Sequence, residues 1–142
     1  MMGIFSFVQL VTAVTIVHAP CPTYHYASSC YDPSTQMIYI SKRDERSRFV
    51  LLHEYGHAYD FQRLTNTQRE SFKRLLGYPA ARDWWQMGHR DKPGEVFADA
   101  YAWCALGFRP NYAKWLARIC PLLPSLKRGL GVSVQWRQRS LV

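Results

Sequence analysis

The sequence predicts one α+β domain, and three observations point to it. Two short runs rich in β-branched and aromatic residues, Val14-Thr15-Ile16-Val17 and Met37-Ile38-Tyr39-Ile40, predict a hairpin or small sheet from residues near 12–17 and 36–41. From about residue 44 onward the signals turn helical, with apolar runs, capping patterns and a closing glycine. The length of 142 residues suits one hydrophobic core without a second domain or an obligatory staple.

The helices follow in order. The apolar run Phe49-Val50-Leu51-Leu52 predicts a first helix over about 44–63 that packs on a core. Thr67-Gln68-Arg69-Glu70 reads as a capping box opening a second helix, which stops near Gly77 ahead of Pro79. A loop over 78–93, with Trp84, Trp85 and His89, leads to a third helix with Asp91 as N-cap candidate and Pro93-Gly94 at its start. That helix ends around Gly107, and a short fourth helix covers 111–119 before Pro121.

The first helix carries His53-Glu54-Tyr55-Gly56-His57. Residues four apart lie one above the other on a helix, so both imidazoles reach one Zn²⁺ at about 2.0–2.1 Å. Glu54, beside the first imidazole, is placed to take a proton from a metal-bound water. The competing reading is a surface helix that happens to carry two histidines. Gly56 argues against it, since glycine costs a helix up to ~1 kcal/mol relative to alanine and here permits another segment to approach closely.

A catalytic zinc usually takes three protein ligands, so a third should come from elsewhere. The third helix holds Glu95 and Asp99 on one face, four residues apart, between the apolar residues Val96, Phe97, Ala98 and Ala102. The helix dipole alone would explain an acid at Glu95 but not at Asp99.

HExxH followed on a later helix by a glutamate and, four residues on, an aspartate resembles the zincin metallopeptidases of the gluzincin pattern. The resemblance covers roughly residues 37–105 and extends to the very small HExxH proteins of bacterial and phage genomes. It implies a minimal zincin-like domain, with a short sheet or hairpin packed on the zinc-ligand helices. It further implies Zn²⁺ held by His53, His57 and Glu95, with Glu54 as base and Asp99 supporting a ligand histidine. The metzincin pattern needs glycine at position 60 and histidine at 63, where this chain has Asp60 and Arg63.

The expected activity is zinc-dependent hydrolysis of a peptide bond in a peptide or protein substrate. The alternatives are a zinc-dependent regulator or toxin acting on one protein partner, and a non-catalytic zinc-binding protein, against which the intact Glu54 argues. Oxyanion-stabilising candidates are His89, Arg90, Tyr101 and Tyr112. Trp84 and Trp85 are candidates for a cleft wall or for the core.

Eighteen Lys+Arg against ten Asp+Glu give a formal charge of +8, which attracts acidic partners. Lys127, Arg128, Arg137 and Arg139 concentrate charge near the C-terminus without forming a basic motif, so no specific nucleic-acid site is expected. Residues 1–19 read either as a signal segment ending at Val17-His18-Ala19 or as an N-terminal strand, ahead of the domain at 20–142. The uncharged run 4–17 is short for a membrane span of ~20 residues, so no transmembrane segment is expected. The four cysteines lack zinc-ribbon spacing. Local pairing, Cys21 with Cys30 and Cys104 with Cys120, is the simplest of three connectivities and suits an exported protein; reduced thiols suit a cytoplasmic one.

Overall fold

The computed structural model describes residues 14–22, 29–85, 92–107, 111 and 113–122. Its strands are β1 (Thr15–Val17), β2 (Cys30–Asp32) and β3 (Met37–Tyr39). The helices are α1 (Arg48–Arg63), α2 (Asn66–Leu75), α3 (Pro93–Leu106) and α4 (Leu116–Ile119), followed by a 3₁₀ turn over Cys120–Leu122. This is a small α+β fold, consistent with a minimal zincin-like domain. No helix among the described residues is long and apolar enough to cross a membrane.

The sheet order is β1-β3-β2, with Ile38 at the centre and fully buried. The expected pairing of β1 with β3 is present, but it is parallel, Thr15 facing Met37 and Val17 facing Tyr39. The hairpin partner of β3 is instead β2, antiparallel, with Tyr31 opposite Ile38. β2 escapes a propensity reading because Asp32, Pro33 and Ser34 follow Tyr31 as turn residues. Asp32 accepts from the Ser34 N–H at 2.9 Å, which closes the turn, and Gln36 sits at φ 56° before β3 begins.

Helix α1 starts later than about 44, because residues 42–46 form a turn and Ser47 is the N-cap, accepting from Val50 N–H at 3.2 Å. The capping box of α2 is also displaced. Thr65 accepts from the Gln68 N–H while the Gln68 side chain takes the Thr65 N–H, so Thr67 and Glu70 lie inside the helix rather than at its cap. Glu70 is engaged instead by the buried Lys73, whose Nζ also donates to the Ala80 carbonyl at 2.9 Å and ties the following loop to α2. Lys92 is the α3 N-cap, without a side-chain cap bond, and Pro93 is its first residue; Asp91 lies outside the described residues. Gly107 ends α3 at φ 67°, the left-handed conformation that glycine adopts at least cost. The fourth helix is shorter than 111–119 and begins only at Leu116.

Helix α1 lies between two apolar clusters. Leu51 and Ala58 face the sheet with Tyr31, Ile38 and Ile40. On the other side Tyr55 and Tyr59 pack against a cluster of Phe72, Trp84, Phe97, Tyr101 and Leu116. Cys21 is bonded to Cys30 and Cys104 to Cys120, so one disulfide secures β2 and the other joins α3 to the segment after α4.

Candidate metal centre

Helices α1 and α3 approach closely because α1 presents Gly56 to α3. A Cβ added at Gly56 would stand 2.8 Å from the Ala98 Cα and 3.0 Å from the Tyr101 Cβ. With no side chain there, the face bearing His53 and His57 lies directly against the face bearing Glu95 and Asp99.

Three donors converge across this seam. The Nε2 atoms of His53 and His57 are 3.1 Å apart. The Glu95 carboxylate spans the pair, with one oxygen 3.2 Å from His53 Nε2 and the other 3.3 Å from His57 Nε2. Ligands held 2.0–2.1 Å from a tetrahedral zinc stand roughly 3.3–3.4 Å apart, so the triangle is close to one face of such a site. Asp99, one turn after Glu95, lies 2.8 Å from His53 Nδ1. Accepting from the Nδ1–H, it turns His53 Nε2 toward the other donors, the usual arrangement behind a metal-binding imidazole.

The electrostatics suit a cation. Burial works against a charged His53, yet its hydrogen bonds with Asp99 and Glu95 outweigh that and raise its pKa to about 10. Burial likewise opposes ionisation of Glu95, but hydrogen bonds from His53 and His57 hold its carboxyl well below the ordinary range. In the metal-free protein a proton on His53 supplies positive charge among Glu54, Glu95 and Asp99. A divalent cation meets the same demand, and two imidazole nitrogens plus a carboxylate form a donor set that fits zinc.

Glu54 is on the cleft side of α1 and is buried, only 6 % exposed. Burial pushes its carboxyl above the ordinary glutamate value, against the pull of His57 and His53, and the Tyr31 main-chain N–H donates to it. That bond links the base to β2. The cleft in front of the site has a volume of about 570 Å³; β2 forms one wall, and Phe61, Trp84 and Trp85 form another.

The structure therefore brings His53, Glu54, His57, Glu95 and Asp99 together. It does not do so for every oxyanion candidate. Tyr101 is buried in the apolar cluster, its ring 5.7 Å from that of Tyr59, and it does not line the cleft. His89, Arg90 and Tyr112 lie outside the described residues. Of the two tryptophans, Trp84 is buried and Trp85 is exposed, and both line the cleft.

In the sequence Asp60 serves only to set the chain apart from the metzincin pattern; in the fold it is fully buried. Its carboxylate accepts from Trp84 Nε1 at 2.7 Å and from Arg69 Nε at 2.8 Å, fastening the tryptophan loop to α1 and α2. The Trp84 carbonyl in turn accepts from the Gly94 N–H at 3.2 Å, and a Cβ at Gly94 would stand 3.1 Å from that oxygen. The loop and the start of α3 are thus seated together beside Glu95. Phe61 also joins the cleft, and its i, i+4 spacing from His57 is the signal that places it on the same helix face.

Comparison with curated proteins and with solved structures yields no match. One family model does match, over residues 11–77, slightly under half of the chain; it is Peptidase_M78, described as the IrrE N-terminal-like domain. The match covers His53, Glu54 and His57 and ends before Glu95 and Asp99, so the place of those two acids rests on the geometry. Over residues 11–77, the part that bears HExxH, the chain is similar to Peptidase_M78, a zincin-like metallopeptidase family.

Proposed function

We propose that the protein is a zinc-dependent peptidase in which Glu54 is the general base. The observation that carries this reading is the triangle of His53, His57 and Glu95 donors beside a buried carboxylate, open to a cleft. Zinc bound there supplies Lewis acidity, making water acidic near neutral pH and polarising a carbonyl.

The chain's own residues do the rest. Asp99 holds the His53 ring in orientation. Glu54 takes the proton of the attacking water and delivers it to the leaving amine nitrogen as the peptide C–N bond breaks. β2 lines the cleft along its length and pairs with β3 on one side. An extended peptide laid beside β2 would run past Glu54 as an added strand.

Metal analysis joined to a peptide-library digest tests the reading. The expected result is one zinc per chain and cleavage by the wild type, with zinc retained and cleavage lost in Glu54→Gln. Zinc without cleavage of any peptide would leave a metal-binding protein and remove the peptidase. Cleavage confined to one protein would make it a dedicated protease.

A further inference from the structure

Three large apolar side chains stand exposed among the described residues, Ile16, Phe61 and Trp85, and two of them meet inside the cleft. Phe61 is 45 % and Trp85 39 % exposed, yet their rings stack with centroids 4.5 Å apart and planes at 30°. Tyr31 extends the same surface, its ring 5.9 Å from Phe61, and Gln62 holds its hydroxyl at 3.2 Å.

The wall is anchored from behind. The Arg69 guanidinium lies 5.7 Å from the Trp85 ring centre and is fixed by the Asp60 carboxylate and main-chain carbonyl, both at 2.8 Å. Trp84 is held by the same carboxylate. An aromatic pair backed this firmly and left facing a cleft presents a prepared surface, since burying aromatic rings is otherwise strongly favoured.

Its position identifies the occupant. His57 and Phe61 are four residues apart on α1, so Phe61 lies about 6 Å further along the helix axis. Residues of an extended peptide advance about 3.3 Å each, so for a peptide running through the cleft alongside α1 the wall falls beside a side chain one or two positions from the bond held at the metal centre. We propose that Phe61 and Trp85, flanked by Tyr31, form a specificity subsite that selects a large apolar or aromatic side chain near the scissile bond. The subsite deepens the peptidase reading and rests on it for the substrate class.

The test uses the full chain, zinc-loaded, carrying Glu54→Gln so that bound peptides stay intact. Fluorescence anisotropy measures the affinity of labelled peptides that differ only in Ala, Leu or Phe at one varied position, placed in turn along the peptide. Leu or Phe should bind about tenfold tighter than Ala at one position. Adding Phe61→Ala or Trp85→Ala should reduce that preference to about twofold or less, with Ala-peptide affinity and zinc content unchanged, while Trp85→Phe keeps most of it. Because both side chains are partly exposed, these variants should fold, and circular dichroism checks it.

A flat series, a preference that survives both alanine variants, or no binding of any peptide overturns the subsite. So does wild-type self-association that either alanine variant abolishes, which would make the wall an interface between two copies. Hydrolysis by the chain with native Glu54 is read separately. Selective binding without cleavage keeps the subsite and removes the peptidase, whereas cleavage without selectivity does the reverse.

Discussion

Helices α1 and α3 supply the candidate centre in opposite ways. In α1, two imidazoles and a carboxylate are set by the helical repeat within little more than a turn, so local backbone geometry alone aligns them. In α3, Glu95 and Asp99 also share a face, but that face is useful only where tertiary packing puts it. Gly56 against Ala98 sets the approach, and the seating of Gly94 against Trp84 sets the start of the helix. The α1 groups are therefore brought together within one helix and only steadied from outside, by Asp99 on His53 and the Tyr31 N–H on Glu54, while those of α3 depend on the packing of both helices.

The largest expected effect concerns α1 alone. Glu54→Gln should retain zinc and fold while hydrolysis falls by about 10²–10⁴, measured as turnover of a peptide that the wild type cleaves. Comparable turnover would take Glu54 out of the chemistry and leave α1 only a metal-binding role.

The next predictions separate the two acids of α3. Glu95→Ala should abolish tight zinc binding, whereas Asp99→Asn should weaken it by roughly 10–100-fold, because the His53 ring loses the acceptor that orients it. Zinc titration of both variants decides the order. An Asp99 variant that loses zinc while Glu95→Ala keeps it would exchange their roles.

Acidity sharpens the link between the helices. In the metal-free protein His53 has its pKa raised from 6.5 to about 10 by acids of α3 and by Glu54. A raised pKa means that the proton stabilises the metal-free fold. That contribution is whole below the unfolded value and is lost as pH climbs through about 10. Zinc has to displace this proton, so its affinity should rise about tenfold per pH unit from neutrality toward that value, read by chelator competition. A flat profile would mean that His53 carries no proton to displace.

The smallest effect tests the seam itself. Gly56→Ala gains up to ~1 kcal/mol of helix propensity but drives a Cβ against the Ala98 main chain, where overpacking costs about 1–3 kcal/mol. The net expectation is a loss of up to about 2 kcal/mol in denaturant unfolding, with weaker zinc binding as Glu95 moves away from the histidines. An unchanged zinc affinity would show that α3 reaches the centre without the close approach.

Much of this was visible in the residues. His53, Glu54 and His57 are legible because the i, i+4 rule needs no knowledge of the rest of the chain. Glu95 and Asp99 stand out because two acids on one face of an otherwise apolar helix need a reason. Element ends were less legible: Thr65 and Thr67 both suit a cap, and only the chain's exit from Leu64 chooses between them. β2 was hidden by its turn residues, and its pairing with β3 depends on a register that residue propensity does not contain.

What the sequence by itself determined was the kind of chemistry available, since residue type and helical spacing fix which donors lie side by side. Whether those donors meet was decided by tertiary structure, through a glycine that lets two helices touch. Asp60 shows the same division more sharply. In the sequence it is one polar residue on a helix; in the fold, full burial obliges its carboxylate to find partners, and Trp84 and Arg69 provide them. The place of Trp85 against Phe61 of α1 follows from that fastening, because a loop with no helical or strand periodicity is placed only by the groups that hold it.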